Sequence, residues 1–127
     1  MNRAATGLAG YRRGLAAERL AAWALRFKGW RIVARRVRPP RGSGAGEIDL
    51  VARRRKVLAF VEIKARPSAA EGLFAIDPRQ RRRLLRAAEW FIKCHPEYSG
   101  HDLRFDAVVV SPGRWPRHLP DAWRAET

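Results

Sequence analysis

The segment Gly46–Lys64, which reads GEIDLVARRRKVLAFVEIK, constrains the fold most strongly because it contains two short apolar runs joined by a basic turn. Glu47 and Asp49 lie in the first run, and Glu62 and Lys64 lie in the second. This pattern predicts a β-hairpin. Since acids are depleted in strands, three acids and a lysine in one hairpin indicate a shared site, and a hard divalent cation would account for it.

The alternation of residues in this hairpin predicts which side chains share a face. If Arg54-Arg55 forms a two-residue turn, Ile48 lies opposite Val61, and alternate residues on both strands build a wholly apolar face that would be buried. The other face carries all four charged side chains, Glu47, Asp49, Glu62 and Lys64, beside the apolar Val51, Leu58 and Phe60. Because Arg-Arg is not a preferred two-residue turn, a bulge or a longer turn is the alternative.

Length and charge narrow the class of protein. The chain has 127 residues, which predicts a single domain over residues 1–127, with residues 111–127 as a C-terminal tail. Its 27 Lys and Arg exceed its 12 Asp and Glu and give a net charge of +15, which favours a polyanionic partner and most simply a nucleic acid. A genome biased towards arginine is the alternative source of this charge.

Cysteine content and the length of apolar runs indicate the compartment. Cys94 is the single cysteine, so no disulfide can form within the chain, which fits a reducing cytosol. We expect neither a signal peptide nor a transmembrane helix, because the apolar runs are too short and too often interrupted. The sequence therefore predicts a cytoplasmic protein without a membrane partner.

Helix and strand patterns predict the order helix, three strands, helix, strand, and hence an α/β fold with a mixed central sheet flanked by helices. The predicted elements are a helix at 8–28, a strand at 30–37, the two hairpin strands, a helix at 77–94 and a strand at 103–110. The second helix starts at Asp77-Pro78, where Asp is a favourable cap and Pro a favourable first residue. In the tail, Trp115 and Trp123 would cover the core or, alternatively, stack on a nucleic-acid base.

The first predicted helix has an acid within its apolar stripe. The stripe is formed by Tyr11, Leu15, Ala22 and Leu25, and a second apolar face is formed by Ala16, Leu20, Trp23 and Phe27. Glu18 falls in the middle of the stripe, so it is either paired with a buried arginine or directed into a site.

The second predicted helix has one strongly basic face. Gln80 lies at the top of its inward stripe, while the opposite face carries Arg79, Arg82, Arg83, Arg86 and Lys93. Ordinary solvation is one interpretation of this face, but only Glu89 balances so many positive charges, and phosphate contact is therefore favoured. The predicted nucleic-acid-binding residues are Arg66, Arg79, Arg82, Arg83 and Arg86.

The hairpin residues could together hold a metal ion and a phosphate. Glu62 and Lys64 project to the same side of their strand, because residues two apart share a face. Asp49 and Glu62 could hold Mg²⁺ through one or two carboxylate oxygens and leave positions for water and a substrate phosphate. Only four of the 27 basic residues are Lys, so a titratable amine at Lys64 stands out in a chain that otherwise uses arginine.

Asp49 followed by Glu62-Ile63-Lys64 on adjacent strands resembles the PD-(D/E)xK nucleases of restriction-endonuclease-like fold. The chain more closely resembles the YraN-like (UPF0102) family of small bacterial proteins, predicted endonucleases related to archaeal Holliday junction resolvases. The matching segments are Gly14 with Ala17-Glu18, residues 46–52, residues 60–66, Gln80 with the basic residues after it, and residues 104–106. The resemblance implies a restriction-endonuclease-like core that acts on DNA, including branched or recombination structures, and action on two strands would favour a homodimer.

The same resemblance implies a role for each matching residue. Asp49, Glu62 and Glu18 would hold Mg²⁺ or Mn²⁺, Lys64 would be the catalytic lysine, Gln80 would lie near the substrate, and Glu47 would either ligate the metal or fix a neighbouring base. Two positions depart from the pattern: Ile48 replaces the Pro of the motif, and Ala65 stands where relatives often carry a hydroxyl residue.

Several alternatives stay open at this point. A buried ion pair of Lys64 with Asp49 or Glu62 would explain the hairpin charges structurally, and Asp106 beside Arg104 is more typical of a structural contact. His95, His101 and His118 lack zinc-ligand spacing and are expected in surface or packing positions. The functional alternatives to a DNA endonuclease are a catalytically silent DNA-binding module on the same fold and a basic scaffold for RNA.

Overall fold

The computed structural model describes residues 3–66 and 77–124, and the side chains of residues 14–66 and 77–124. The elements are α1 (Arg3–Phe27), β1 (Arg31–Val37), β2 (Ile48–Arg54), β3 (Val57–Ala65), α2 (Pro78–Cys94), a single 3-10 turn (Pro96–Tyr98), β4 (Asp102–Val110) and β5 (Arg117–Trp123). The strands form one five-stranded sheet in the order β1-β2-β3-β4-β5.

The sheet is mixed because of how its strands are connected. β1–β2, β2–β3 and β4–β5 are antiparallel, whereas β3–β4 is parallel. A parallel pair needs a long crossover, and α2 lies in the connection between β3 and β4. The predicted mixed sheet with flanking helices is thus confirmed.

α2 covers one face of the sheet and begins as the sequence predicts. Oδ1 of Asp77 accepts a hydrogen bond from the backbone N of Gln80 at 3.0 Å, and Pro78 occupies the first helical turn. The buried residues of the helix pack into a core cluster with the sheet that includes Val51, Leu58, Phe60, Leu84, Ala87, Ala88 and Phe91. Because this cluster takes in alternate residues of β2 and β3, the hairpin face that carries the charged residues is also largely a core face.

α1 covers the opposite face through small side chains. Ala21, Ala22 and Leu25 form a core cluster with Leu50, Ala52, Ala59 and Val61 of the hairpin. The predicted stripe residue Tyr11 lies outside the described side chains, and the second apolar face is largely exposed, with Leu20, Trp23 and Phe27 at 42%, 54% and 75%. α1 has 25 residues, yet no described helix is both long and apolar enough to cross a membrane.

The hairpin register differs from the predicted one by two residues. Arg54 pairs with Val57 and Leu50 pairs with Val61, so the turn residues are Arg55 and Lys56. Arg55 adopts a φ of 55°, which a hairpin turn of this length requires. An even shift preserves which residues share a face. Ile48 is the exception: it belongs to the core cluster under α2, not to the one under α1.

The predicted tail contains a fifth strand. β5 pairs antiparallel with β4 over residues 117–123, with an irregularity between Phe105 and Ala107, while residues 125–127 lie outside the described part. Trp123 is buried and stacks on Phe105 with ring centroids 4.0 Å apart, so it covers the core as expected. Trp115 is 62% exposed, and the expectation that it covers the core was wrong.

Candidate active site and basic groove

β2 and β3 bring the hairpin acids together. Leu50 pairs with Val61, so the next residues outward on the two strands are Asp49 and Glu62. Oδ2 of Asp49 accepts a hydrogen bond from the backbone N of Ile63 at 2.7 Å, which fixes the carboxylate against β3. The predicted juxtaposition of Asp49 with Glu62 is therefore present in the fold.

Asp49 is held in an environment that disfavours its charge. The pKa of Asp49 is raised to about 6, chiefly by burial and also by the nearby carboxylates of Glu62 and Glu47, although the Ile63 N–H and the charge of Lys64 act to lower it. Three acids thus lie near one lysine, with Asp49 and Glu62 partly buried and Glu47 exposed. This excess of negative charge would be relieved by a bound cation.

Lys64 pairs with one of these acids. Its Nζ lies 3.1 Å from Oε1 of Glu62, and the two side chains are 25% and 13% exposed. A buried ion pair of Lys64 was the structural explanation of the hairpin charges, and this contact agrees with it. The same contact also holds the Lys64 amine beside Glu62. Oδ1 of Asp49 has no hydrogen-bond partner among the residues that the structure describes.

Glu18 is engaged by arginine. Its Oε2 accepts a hydrogen bond from Nε of Arg36 at 2.9 Å, and its Oε1 lies 4.0 Å from Nη1 of Arg35. The Glu18 side chain is 12% exposed, so the first of the two interpretations of this acid, pairing with arginine, describes its contacts. Among the described residues, no group of three or more His, Cys, Asp or Glu is arranged to hold a metal, and the metal role of Glu18 stays a prediction.

Asp49 and Glu62 nevertheless form a donor set that suits a hard cation. Their ligand atoms are carboxylate oxygens, which Mg²⁺ and Mn²⁺ prefer, and Mg²⁺ is commonly held by only one or two carboxylates. The free Oδ1 of Asp49 and the excess of negative charge around it fit such an ion.

A basic groove of about 880 Å³ runs between the β1–β2 loop and the start of α2. It is lined by six arginines, namely Arg38, Arg41, Arg79, Arg82, Arg83 and Arg86, together with the loop residues Pro39, Pro40, Gly42, Gly44, Ala45, Gly46 and Glu47. The loop is tied to the helix because the N of Gly46 donates to the O of Arg83 at 2.9 Å.

Glu47 connects the groove to the acids. It lines the groove, and its charge acts on Asp49. Its Oε1 also lies 3.4 Å from Nε of Arg38, in a pair whose side chains are both well exposed. Of the three acids, Glu47 is the one that lines the basic groove.

The groove contains four of the five predicted nucleic-acid-binding arginines. Sequence reasoning missed Arg38 and Arg41, although their position beside Pro39-Pro40 in a glycine-rich loop was a usable signal. Arg66 lies apart from the groove, where its Nη1 donates to the O of Ala65 at 3.0 Å. Gln80 lies in the first turn of α2 with its side chain partly buried, and no described hydrogen bond links it to the acids of the hairpin.

Asp106 belongs to a separate, structural network. It is 1% exposed and accepts hydrogen bonds from Arg104 at 2.8 and 2.9 Å and from the N of Asp121 at 2.9 Å, and it lies 2.7 Å from Nε2 of His118. Burial alone would raise the pKa of Asp106, but the bonds from His118, Arg104 and Asp121 lower it below its ordinary value. The network ties β5 to β4, in agreement with the structural role that the sequence predicted for Asp106.

Comparison with known proteins identifies relatives over nearly the whole chain. A family model described as uncharacterised protein family UPF0102 matches residues 17–110. The chain is 56% identical over 120 residues to a UPF0102 protein of Parvibaculum lavamentivorans, with 94% of this chain and 87% of that protein covered. It is 50% identical over 118 residues to one of Paramagnetospirillum magneticum (93% and 92% covered) and 48% identical over 120 residues to one of Nitrobacter winogradskyi (94% and 98% covered).

Proposed function

The chain belongs to the uncharacterised protein family UPF0102, and we propose that it is a metal-dependent endonuclease that hydrolyses DNA phosphodiester bonds, including those of branched structures. The observation that carries the proposal is the acid pair Asp49 and Glu62, with Lys64 beside it, together with a groove lined by six arginines and by Glu47, whose charge acts on Asp49. Phosphate binding and phosphate chemistry would then occupy adjoining parts of one surface.

The groove supplies the substrate-binding part of the proposal. Its arginines can form paired hydrogen bonds with phosphate oxygens, and Arg79 and Arg82 are exposed. The Gly46–Arg83 backbone hydrogen bond holds the loop arginines at a fixed spacing from those of α2.

Within the proposed site, Asp49 and Glu62 would hold Mg²⁺ or Mn²⁺, with Asp49 oriented by its hydrogen bond from Ile63. The ion, when bound, supplies positive charge that offsets the charge gathering on the phosphate. Lys64, held beside Glu62 at 3.1 Å, can donate an N–H to a phosphate oxygen or orient the attacking water.

A cleavage assay tests the proposal with a matched lysine control. Purified protein is incubated with duplex, single-stranded and four-way-branched DNA in the presence of Mg²⁺ or Mn²⁺. Lys64→Ala is expected to lower the cleavage rate by about 100-fold or more while binding persists. Lys56→Ala, in the exposed hairpin turn, should cleave like the wild type. Absence of nicking on every substrate with both ions would refute the endonuclease.

A DNA-binding module without turnover is the second candidate, and the Lys64–Glu62 ion pair favours it because that pair leaves the lysine already partnered. In that case the groove alone would carry the function. Asp49→Ala would leave DNA binding and any cellular phenotype unchanged, whereas loss of the groove arginines would abolish binding. Preferential binding to structured RNA, indifferent to metal, would instead identify an RNA scaffold.

A further inference from the structure

Three aromatic side chains form an exposed row on the α1 side of the molecule. Trp23 and Phe27 lie 6.2 Å apart and Phe27 and Trp115 lie 5.7 Å apart between ring centroids, and all three are more than half exposed. We call these three residues the aromatic ledge. Large exposed aromatics in contact with one another are uncommon on a surface without a partner, so the ledge indicates a binding face.

The ledge continues into an apolar cavity of about 640 Å³. Ala16, Ala17 and Leu20 of α1 form one wall, and the ends of β3 and β4 with the loop that carries Trp115 form the other. Ala65 and Arg66, which follow Lys64 directly along the chain, belong to the second wall. The cavity therefore lies at the same end of β3 as the candidate active site.

Charge decides what kind of partner this face fits. Arg26 lies over the Trp23 ring at 5.3 Å, and Arg66 and Arg114 line the cavity. Among the described residues that line the cavity or form the ledge there is no Asp or Glu. A second copy of a chain with a net charge of +15 would bring like charges together here, whereas a polyanion with flat apolar rings would match both the arginines and the aromatics.

We propose that the aromatic ledge stacks unpaired bases of a single-stranded DNA segment. Every base offers a π-face, so stacking on Trp and Phe is tolerant of sequence, and the surrounding arginines can contact the backbone. The inference rests on the proposed function in naming DNA as the partner, and it adds that the substrate carries unpaired bases as well as the phosphate that is cleaved. Binding at the ledge itself does not require the acids.

Binding to two fluorescent oligonucleotides separates stacking from backbone contact. One is a thymidine strand and the other is an abasic strand of equal length, which has the same phosphates without bases, and both are measured in EDTA so that cleavage plays no part. The wild type should bind the thymidine strand more tightly. Trp115→Ala should weaken that binding at least about fivefold and leave binding to the abasic strand unchanged. Equal affinity of the wild type for both strands would overturn the inference.

Three further variants distinguish aromatic stacking from general apolarity and from binding in the groove. Trp115→Phe keeps a ring and should retain most of the preference, whereas Trp115→Leu is apolar without a ring and should lose it. Arg82→Ala should weaken binding to both strands alike. Trp115→Leu with wild-type affinity for the thymidine strand, or a wild-type dimer in sedimentation that Trp115→Ala abolishes, would overturn the proposal.

The oligonucleotide result is independent of the endonuclease assay. A base-dependent preference without cleavage would support the ledge and count against the endonuclease. Cleavage without any base-dependent preference would support the endonuclease and overturn the ledge.

Discussion

Asp49 combines burial with two neighbouring carboxylates, and this combination couples the stability of the fold to pH. Its pKa in the folded chain is about 6, above the ordinary value of 3.8. Between these two values the folded state keeps a proton that the unfolded state has lost, so the free energy of unfolding falls as pH rises through this window. Above about pH 6 the ionised carboxylate destabilises the fold, by up to about 3 kcal/mol for a shift of this size.

We expect Asp49→Asn to stabilise the protein at neutral pH, because the amide accepts the Ile63 hydrogen bond without a buried charge. The free energy of unfolding in urea should rise by about 1–3 kcal/mol at about pH 7, and the gain should shrink at about pH 4.5. Glu89→Gln, at an exposed position on α2, serves as the control and should change little at either pH. An Asp49→Asn variant that is less stable than the wild type at neutral pH would contradict the assignment of an unfavourable buried charge.

A divalent cation that binds the folded state should offset the destabilisation caused by the ionised Asp49 carboxylate. Millimolar Mn²⁺ or Mg²⁺ is expected to raise the melting temperature of the wild type, and EDTA should abolish the rise. Asp49→Asn and Glu62→Gln should each abolish the metal-dependent rise in melting temperature. Scanning calorimetry with Ca²⁺ and Na⁺ at matched ionic strength separates specific binding from screening, and an equal rise in the Asp49→Asn variant would exclude Asp49 as a ligand.

At the residue scale, the sequence predicted which hairpin side chains meet but not what Glu18 contacts. The proximity of Asp49 and Glu62 follows from the two-residue period of strands. The predicted register was wrong by two residues, but an even shift keeps both side chains on the same face. The Glu18–Arg36 pair depends on Arg36 adopting a φ of 50° and on a register irregularity between Ile32 and Ala34. An L residue rarely takes that conformation, so no pattern in the sequence signals the contact.

At the element scale, α2 was predictable and β5 was not. Asp77-Pro78 is a local signal that fixes the start of a helix without reference to the rest of the chain. β5 contains Pro120 and Asp121, which are depleted in strands, and Asp121 has a φ of 52°. It forms because β4 offers a partner edge and because Asp106 binds the Asp121 N–H. Such a strand depends on long-range contacts.

Removal of the Asp106 carboxylate, which binds Arg104, His118 and Asp121, should destabilise β5 more than the other strands. Asp106→Ala leaves Arg104 and His118 without their shared carboxylate, and breaking a buried pair of this kind costs about 3 kcal/mol or more. Hydrogen exchange of the backbone amides in residues 117–123 should accelerate more than that of β2 and β3. Arg124→Ala removes an ion pair whose arginine is 83% exposed, so the free energy of unfolding should stay close to the wild-type value. Uniform acceleration across the sheet would contradict a local role.

At the scale of the whole molecule, six of the 27 basic residues line one groove. The net charge of +15 predicted a polyanionic partner but could not locate its binding surface. The groove arises because the Gly46–Arg83 hydrogen bond brings a loop to a helix more than thirty residues later in the sequence. The basic face of α2 was visible from helical spacing, whereas the contribution of Arg38 and Arg41 depends on that tertiary contact.

The salt dependence of duplex binding measures how many of these charges contact phosphates. Each phosphate neutralised contributes about −0.9 to the slope of log affinity against log salt concentration. Arg79 and Arg82 line the groove and are both exposed, so the double Arg79→Ala/Arg82→Ala variant should bind duplex DNA more weakly and flatten that slope by about two units. The matched control, Arg31→Ala/Arg124→Ala, removes the same charge from exposed positions outside the groove. If both double variants flattened the slope equally, net charge would explain binding and the groove would lose its special role.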